Sequence, residues 1–442
     1  MENFKYETKR VNSVQEYLSA LLEGYVKVTP PKNLYGDIFV ELERRVGESD
    51  IIKWKFAECL FKGYGCKQDL AKAIEIYKKL AKSNYGPALY SLGFAYYYGG
   101  DRLGGFRVDN ALAFKFYKRA LKQGYGAANY YIGWCYEDGY GVEPNEYYAM
   151  KFYLAGAKLG HDRAQFALSR LYENGVPKVT QAGRIIRVDD FNEVLLWRER
   201  AAEQGFFAAQ RRLAELYFEN KNYYDLEKAT YWYLKCYQNE DLNETPILDT
   251  RRSVIYGLAL CYKTAEKYEK AAELFEICKD EKHVPSIIEL AELYENGLGV
   301  EESLDKAFEL YSLAVKYDMK WYSKCGRALY KLAQFYIHGV CVEKDELYGL
   351  KYLEKAADSS DYAPAQFYLA MRYETGDRVE QNLERACKLY VAAANSGHEE
   401  AVQAALTLQD VIKCPNCGNF FYYNEITSVR KKCPKCGIMN FN

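Results

Sequence analysis

AANYYIGWCYEDGYGVEPNEYYAMKFYLAGAKLGHDRA, residues 127–164, is the stretch that decides the fold of this chain. Its first segment carries small or apolar residues four positions apart: Ala128, Ile132 and Tyr136. Its second segment repeats that spacing with Ala149, Tyr153 and Ala157. Residues four apart share one face of a helix, and Gly139 and Gly141 between the segments favour the positive φ of a turn. The stretch therefore predicts two helices joined by a glycine turn.

The same pattern returns along the chain at a nearly fixed period. Residues 363–401 (APAQFYLAMRYETGDRVEQNLERACKLYVAAANSGHEEA) are a second clear copy. The small residue that anchors each copy recurs at Ala88, Ala128, Ala164, Ala209, Ser286, Ala328, Ala365 and Ala401. The longest step has room for one more unit, which residues 256–285 supply as a glycine-poor copy, and an initial copy starts near Ile52. Such a period is typical of repeat proteins, so we predict nine units across residues 52–400.

Tyrosine is unusually frequent, with 44 of the 442 residues. Aromatic side chains are enriched at interfaces, so the excess could line a peptide-binding groove. Alternatively, each repeat needs one aromatic residue in its second helix, and every copy multiplies it. The residues at that position are Tyr77, Tyr117, Tyr153, Trp197, Tyr233, Phe275, Tyr311 and Tyr390. The pattern favours packing as the explanation for about half of the tyrosines.

A single helical hairpin cannot bury both of its faces, so neighbouring units must stack on one another. The sequence therefore predicts an all-α fold class, a right-handed α/α superhelical repeat solenoid over residues 51–410. A small β module is predicted to follow it at residues 411–442.

The repeat pattern resembles the Sel-one-like repeat, a relative of the tetratricopeptide repeat with a longer loop. GYGV (139–142) and GLGV (297–300) match its turn signature. The resemblance implies an adaptor that recruits proteins into complexes. Two departures stand out: secreted members pair cysteines within each unit, which this chain does not, and ENKNYYD (219–225) replaces the glycine turn in the copy at 209–240.

Residues 1–50 lack the repeat. Ser13 and Glu16 form a capping-box pattern, and apolar residues follow on one helical face: Val14, Leu18, Leu21, Leu22 and Tyr25. Thr-Pro-Pro at 29–31 ends this predicted helix, and a second one is expected over about 37–46. The segment is either a helical cap that hides the apolar face of the first repeat or a separate docking element.

Three loops are longer than the repeat requires, at residues 99–109, 176–190 and 239–252. Loops carry function more often than cores do. Insertions into surface loops also cost little free energy, so tolerated insertion is the competing explanation.

The C-terminus carries KCPNCG (413–418) and KCPKCG (432–437), which give a C-x2-C-x15-C-x2-C arrangement. Two sulfurs three residues apart in a tight turn can face one cation, and the glycine after each pair allows positive φ. Four thiolates complete a tetrahedral site, so we predict one structural zinc ion bound by Cys414, Cys417, Cys433 and Cys436. The β-forming residues between the pairs predict a hairpin, and the module resembles a zinc ribbon whose folding depends on the metal.

Other uses of these cysteines compete with structural zinc. A rubredoxin-like iron site has similar knuckles but normally a longer spacer, and disulfides suit an oxidising compartment. Catalytic zinc would need an open coordination position, which four cysteine ligands do not leave. The module is basic, with Lys413, Arg430, Lys431, Lys432 and Lys435 against Glu425. Its aromatic residues 420–423 could stack on single-stranded nucleic acid, form the core of the module, or dock on the last repeat.

Composition excludes several classes of function. Lys and Arg number 60 and Asp and Glu 61, so the whole chain lacks the basic excess of a general nucleic-acid binder. There is no phosphate-binding loop, no Rossmann glycine pattern and no H-E-x-x-H, and histidine occurs only four times. We therefore predict no enzyme activity, no catalytic residues, no small-molecule substrate and no cofactor besides zinc.

Targeting signals are also absent from the sequence. The N-terminal residues form no signal peptide, and no apolar stretch is long enough to span a membrane. Nine scattered cysteines indicate reduced thiols, which fits a cytoplasmic protein, and the family resemblance suggests a bacterial one. We predict a non-catalytic cytoplasmic adaptor that binds a protein partner through the solenoid surface. The alternative is a nucleic-acid-associated regulator that uses the basic aromatic C-terminal module.

Overall fold

The computed structural model describes residues 4–99, 107–179, 185–188, 190–239, 248–318, 325–358, 362–408, 411–414, 417–422 and 435. The chain divides into two compact units, Met1–Asp241 and Leu242–Asn442. Helices dominate the described part of both units. Among the described helices, none is both long enough and apolar enough to cross a membrane.

The first unit contains twelve described helices and four described strands. The helices are α1 (Val14–Leu22), α2 (Tyr35–Arg44), α3 (Asp50–Lys62), α4 (Leu70–Lys82), α5 (Gly86–Tyr98), α6 (Asn110–Lys122), α7 (Ala128–Asp138), α8 (Glu146–Lys158), α9 (Asp162–Glu173), α10 (Phe191–Glu203), α11 (Phe207–Glu219) and α12 (Leu226–Tyr237). A short 3-10 helix, Lys32–Leu34, precedes α2. The strands are β1 (Lys5–Arg10), β2 (Tyr25–Thr29), β3 (Val176–Val179) and β4 (Ile185–Val188).

The second unit contains nine described helices and two described strands. The helices are α13 (Leu248–Thr264), α14 (Tyr268–Asp280), α15 (Val284–Asn296), α16 (Leu304–Tyr317), α17 (Gly326–His338), α18 (Glu346–Asp358), α19 (Ala363–Thr375), α20 (Leu383–Asn395) and α21 (Glu399–Thr407). The strands are β5 (Val411–Lys413) and β6 (Phe420–Tyr422).

From α3 to α20 the described helices form nine consecutive pairs, each with a first or A helix and a second or B helix. Five pairs lie in the first unit and four in the second. The prediction of nine units is confirmed, and the glycine-poor copy is the pair α13 and α14. Each unit is therefore a helical-repeat stack, while the right-handed sense of the superhelix stays a prediction.

The junctions of these pairs are set by local sequence. Most B helices begin at a polar residue whose side chain accepts the backbone N–H three residues on: Asp69, Asp109, Asn145, Asp190, Asp225, Ser303, Asp345 and Asn382. Five A helices end at a glycine in the left-handed conformation: Gly63, Gly139, Gly297, Gly339 and Gly376. Both are strong helix-end signals, so the boundaries follow from short stretches of sequence.

The core of each pair depends on small residues in the A helix. The predicted anchors, Ala88, Ala128, Ala164, Ala209, Ser286, Ala328, Ala365 and Ala401, are all fully buried. A Cβ added at Gly93 would lie 2.7 Å from the ring of Tyr117, and one at Gly133 would lie 2.7 Å from Tyr153. Real side chains do not approach that closely, so these glycines let the B-helix aromatic ring contact the A helix directly.

The predicted B-helix aromatics are all buried, which confirms packing as the explanation for those positions. In three pairs the tyrosine hydroxyl also donates a hydrogen bond to a glutamate sixteen residues earlier, at the end of the A helix. These bonds join Tyr153 to Glu137 (2.7 Å), Tyr311 to Glu295 (2.7 Å) and Tyr390 to Glu374 (2.6 Å). The ring fills the space between the two helices, and the hydrogen bond of its hydroxyl holds the ring in position.

The N-terminal segment differs from the predicted pair of helices. Helix α1 is shorter than predicted and ends at Leu22, because Gly24 adopts a φ of 91° and Tyr25–Thr29 forms a strand instead. Strand β2 pairs in parallel with β1, which is Lys5–Arg10. The β-branched residues Val26, Val28 and Thr29 favour this strand, and its partner lies too far away in sequence for a helical pattern to reveal it.

The long loops give three different outcomes. Residues 176–190 contain an antiparallel hairpin formed by β3 and β4, where we expected an irregular loop. Helix α13 begins at Leu248 and so includes the end of the 239–252 loop. Most of the 99–109 loop lies outside the described residues.

The glycine-free turn at 219–225 still joins two helices, because Asp225 caps the second of them.

The C-terminal residues include two strands, in the region where a small β module was predicted. Strand β5 precedes the first cysteine pair and β6 follows it, and the two are antiparallel. The predicted hairpin lies between the two cysteine pairs, and β6 lies in that stretch. The described partner of β6 is β5, which lies before the first pair and was not predicted, and the rest of the predicted hairpin lies outside the described residues. Residues 423–434 and 436–442 lie outside the described part of the chain. With the sheets in the first unit, the fold is mostly helical rather than all-α.

Candidate functional site

The N-terminal segment lies along the A helices of the first unit. Lys27 of β2 forms an ion pair with Asp162 at the start of α9. The hydroxyl of Tyr6 accepts a hydrogen bond from the backbone N–H of Gly126, before α7. Lys55 of α3 donates to the carbonyl oxygen of Val26 at 2.8 Å. The segment therefore reaches from the first to the fourth pair, so the expected cap over the first repeat alone is too small.

Between this segment and the A helices lies a cavity of about 830 Å³, which we call the aromatic cavity. Its lining includes Trp54, Phe61, Tyr90, Phe94, Tyr125 and Tyr131. Tyr90 contacts Tyr125 and Tyr131 edge to face, with ring centroids 5.1 Å and 5.5 Å away. Rings held by one another in this way form a rigid wall, so the cavity is largely preformed.

Charged side chains also line the aromatic cavity. Glu58 accepts hydrogen bonds from Lys55 at 2.7 Å and from Lys62 at 2.8 Å. Burial acts to raise the pKa of Glu58, but the two lysines outweigh it and hold that pKa below its usual range. The pKa of Asp162 is lowered in the same way, against burial, chiefly by Lys27. Both carboxylates are therefore charged and already paired.

Arg163 is the exception among the charged residues of the cavity. It is exposed, it lines the cavity, and none of the described carboxylates lies within 4.0 Å of its guanidinium. The lining thus carries an excess of two positive charges: Lys27, Lys55, Lys62 and Arg163 against Glu58 and Asp162.

His161 and His398 cap A helices through their ring nitrogens. The Nδ1 of His161 accepts the backbone N–H of Ala164, and that of His398 accepts the N–H of Ala401, both at 3.4 Å. Accepting such a bond requires a neutral ring nitrogen. Burial lowers the pKa of His161 to about 4, which keeps it neutral. The shared Gly-His turn is thus a helix-capping feature of the repeat.

The predicted zinc ligands are only partly described. Cys414 is buried and Cys417 half-buried, whereas Cys433 and Cys436 lie outside the described residues. The N–H of Gly418 donates to the carbonyl of Cys414 at 2.9 Å, and Gly418 has a φ of 71°. Lys435 donates to the Asn419 side chain at 3.1 Å. The first cysteine pair thus lies in a tight turn, while within the described part of the chain no three potential metal ligands come together.

Phe420 docks on the last repeat pair, one of the alternatives considered for the C-terminal aromatics. Its backbone N–H and carbonyl bond the side chain of Asn395 at 2.7 Å and 2.8 Å, and its ring packs in an apolar cluster with Val391 and Ala405. Phe421 is also buried. Two of the four aromatics proposed for nucleic-acid stacking are therefore engaged inside the protein.

The scattered cysteines mostly behave as small buried residues, as expected. Seven are buried: Cys59, Cys135, Cys236, Cys261, Cys278, Cys325 and Cys387. Cys66 is half-buried, and Cys341 is exposed because it occupies the left-handed turn position that glycine fills in other repeats, with a φ of 61°.

Composition suggested a tyrosine-lined groove as one explanation of the tyrosine excess, but no sequence pattern located the aromatic cavity. It joins residues from Tyr6 to Phe207, and the path of β2 across the A helices is a long-range feature. A signal was present in the sequence: Tyr90, Tyr125 and Tyr131 lie outside the B-helix aromatic position, so packing of the repeat motif does not account for them.

A family model described as Sel1 repeat matches the chain at residues 54–85, 86–125, 126–161, 162–185, 207–239, 284–316, 326–361 and 363–398. Together these segments make up more than half of the chain. The protein belongs to the Sel1 repeat family. The pair α13 and α14 lies outside the matched segments, yet it also forms an arrangement of two helices.

Two curated relatives come from yeasts. Protein SHC1 of Saccharomyces cerevisiae is 30% identical over 145 residues, 31% of this chain and 27% of the relative. Chitin synthase regulatory factor 3 of Schizosaccharomyces pombe is 28% identical over 137 residues, 30% of this chain and 14% of the relative. This chain thus matches only about a quarter or less of the length of each relative.

Two similar solved structures come from bacteria. A protective antigen, c5321, of uropathogenic Escherichia coli displays an SLR fold and is 21% identical, covering 91% of this chain and 84% of its own, with a TM-score of 0.49. A Sel1 repeat protein of Oxalobacter formigenes is 22% identical, covering 77% of this chain and 92% of its own, with a TM-score of 0.47.

Proposed function

We propose that this Sel1 repeat protein is a non-catalytic scaffold that binds a protein partner through the aromatic cavity. The observation that carries the proposal is the cavity itself, which is about 830 Å³ in volume, walled by aromatic rings and lined by Arg163, whose guanidinium has no described carboxylate within 4.0 Å. Aromatic and arginine side chains dominate the binding energy of protein interfaces. The Schizosaccharomyces pombe relative is named as a regulatory factor, which is consistent with a binding role.

Two observations support a role without catalysis. The ring nitrogens of His161 and His398 accept helix-capping hydrogen bonds, and the carboxylates of the cavity are paired with lysines. A general base needs an available lone pair within reach of a substrate proton. Neither the capping histidines nor the paired Glu58 offers one.

The test compares how strongly three forms of the full-length protein capture a partner: the wild type, a cavity variant and a control variant. Tyr98 lines the cavity and is partly exposed, so Tyr98→Ala combined with Arg163→Glu removes both ring and charge without opening the core. The matched control is Tyr231→Ala with Lys235→Glu, because Tyr231 is exposed on a B helix and neither residue lines the cavity.

Quantitative affinity purification from the native organism, followed by direct binding of the purified partner, is the measurement. We expect the wild type and the control to bind the same partner, and the cavity variant to bind it at least about tenfold more weakly. Equal binding by the cavity variant would remove the proposed site, and the absence of any directly binding partner would remove the proposed function.

For the C-terminal module we propose one structural zinc ion held by Cys414, Cys417, Cys433 and Cys436. The turn at Gly418 and the contact of Lys435 with Asn419 support this site. We also propose a cytoplasmic location, supported by the buried, scattered thiols. Nucleic-acid binding by the module and a bacterial source stay predictions, and the curated relatives named above are fungal.

A further inference from the structure

We propose that the aromatic cavity binds an extended acidic peptide segment, with a carboxylate of that peptide held by Arg163 beside Lys62. This inference rests on the proposed function and specifies the chemistry of the partner. It is carried by charge complementarity, by the size of the cavity and by the extended segment that the A-helix face already holds.

The charge argument starts from Arg163. A guanidinium in a cleft attracts a counter-ion, and arginine matches the planar geometry of a carboxylate. Arg163 has no such partner among the described residues, and Lys62 of the same cavity already shares Glu58 with Lys55. The excess of two positive charges in a cleft walled by rings therefore favours an anionic occupant.

The second unit provides an internal comparison on its own A helices. Three of the cations on these helices are Lys263, Arg327 and Lys331. Each bonds a glutamate, since Lys263 and Arg327 share Glu289 and Glu292, and Lys331 pairs with Glu295. These three cations are therefore balanced by glutamates, whereas Arg163 has no carboxylate within 4.0 Å among the residues that the structure describes.

The tyrosines of the cavity add hydrogen-bond donors. The hydroxyls of Tyr90, Tyr125 and Tyr131 are protonated at neutral pH, as tyrosine hydroxyls ordinarily are, and burial raises their pKa further. A protonated hydroxyl donates to a carboxylate, whereas a phenolate would repel it. The rings also offer surface to the apolar side chains of a peptide.

An extended peptide suits the cavity better than a compact ion. Its volume of about 830 Å³ is far larger than one inorganic anion and falls in the range of about 300–1,000 Å³ typical of ligand pockets. One wall is β2, an extended segment whose Val26 carbonyl is bound by the Lys55 ammonium. A lysine of the A-helix face thus already binds the backbone of the extended strand β2, and the cavity leaves space for a second extended segment beside that strand.

The experiment uses the full-length protein and three fluorescently labelled octapeptides of equal length, each with two aromatic residues. One carries four glutamates, one carries glutamines in their place and one carries lysines. Fluorescence anisotropy measures binding at low and physiological salt, and a labelled oligo-dT of eight nucleotides is measured alongside. We expect the acidic peptide to bind at least about tenfold more tightly than the neutral one and to weaken with salt.

Arg163→Gln and Arg163→Lys test the assignment, with Arg212→Gln as the control. Arg163 is exposed, so its replacement leaves the fold intact, which circular dichroism checks. Arg212 is an exposed arginine of the same unit that pairs with Glu215 and does not line the cavity. We expect Arg163→Gln to weaken the acidic peptide about tenfold, Arg163→Lys to weaken it less, and Arg212→Gln to leave it unchanged.

Several results would overturn the inference. Equal binding of the acidic and neutral peptides, an unchanged affinity in Arg163→Gln, or tighter binding of the oligo-dT through Arg163 would each do so. If the natural partner still depends on the cavity while the acidic peptide fails to bind, the inference is wrong and the proposed function stands. If neither binds at the cavity, both are wrong.

Discussion

A hydrogen bond between tyrosine and glutamate recurs at the same place in three repeat pairs. The position of the tyrosine ring was predictable, since helical spacing places it on the buried face of the B helix. The bond was not predictable, because the glutamate stands in a tyrosine–glutamate dipeptide before the turn and resembles any exposed acidic residue near a helix end. Only the crossing of the two helices brings Glu295 to Tyr311.

Tyr311→Phe is expected to lower the free energy of unfolding by about 1–3 kcal/mol, because a buried hydrogen bond to a charged acceptor is lost. Urea unfolding followed by circular dichroism is the measurement. Tyr117→Phe is the matched control: Tyr117 occupies the same repeat position, but its buried hydroxyl has no hydrogen-bond partner among the described residues. We expect Tyr117→Phe to be neutral or stabilising, and equal losses in both variants would contradict the role assigned to the Glu295 bond.

His161 makes stability depend on pH in a defined window. Burial lowers its folded pKa to about 4, against about 6.5 in an unfolded chain, although Asp162 opposes the shift and Arg163 and Lys27 add to it. The unfolded state therefore binds the proton first as pH falls, so stability is lost between about pH 6.5 and pH 4. At pH 5 the linkage costs about 2 kcal/mol relative to pH 8.

The variant His161→Asn keeps a good capping side chain but cannot titrate. We expect its free energy of unfolding to fall less than that of the wild type between pH 8 and pH 5, by about 2 kcal/mol. Chemical unfolding at the two pH values measures this difference. A parallel decline in both proteins would show that His161 is not the responsible group.

At the scale of elements, the repeats were largely predictable and the additions to them were not. Helix pairs follow from local signals, such as Asn145 before a B helix and Gly139 after an A helix. Strand β2 was missed because its residues continue the apolar spacing of α1, while its partner β1 lies before that helix. Strand β5 was missed for a similar reason, because its partner β6 lies beyond the first cysteine pair and their pairing produces no periodic sequence pattern.

The C-terminal module gives a prediction about metal. Elemental analysis of the purified protein should find about one zinc per chain, because four thiolates match the ligand preference of zinc. Cys433→Ser should abolish this zinc and expose the module to proteolysis, since the metal supplies much of its folding free energy. Cys341→Ser, at an exposed cysteine in a repeat turn, should retain it. Iron in place of zinc, or a metal-free protein with a protected C-terminus, would contradict the assignment.

At the scale of the whole molecule, the number of repeats was predictable and the candidate site only in part. The spacing of the four cysteines is typical of metal ligands, so this candidate site could be predicted from the sequence alone. The aromatic cavity depends on β2 crossing four repeat pairs, and the decisive contacts, such as Lys27 with Asp162, join residues far apart in sequence. No local pattern encodes such a crossing.

The attachment of the N-terminal segment can be tested directly. Lys27→Glu replaces an ion pair by two facing carboxylates, so hydrogen exchange at Val26–Thr29 should speed up. Since the side chain of Lys27 is 40% exposed, the expected destabilisation is modest, about 1 kcal/mol. Lys151→Glu, at an exposed position on a B helix, is the control. Unchanged exchange in Lys27→Glu would mean that the pair with Asp162 does not hold the strand.

The distance along the chain between Lys27 and Asp162 has a consequence for synthesis. Lys27 leaves the ribosome 135 residues before its partner. At about 5–20 residues per second, β2 waits roughly 7–30 s before the A helix that holds it exists. During that interval the first repeat pairs emerge with their aromatic faces uncovered. A newly made chain therefore passes through a stage in which the groove is open, before its own N-terminal segment closes over it.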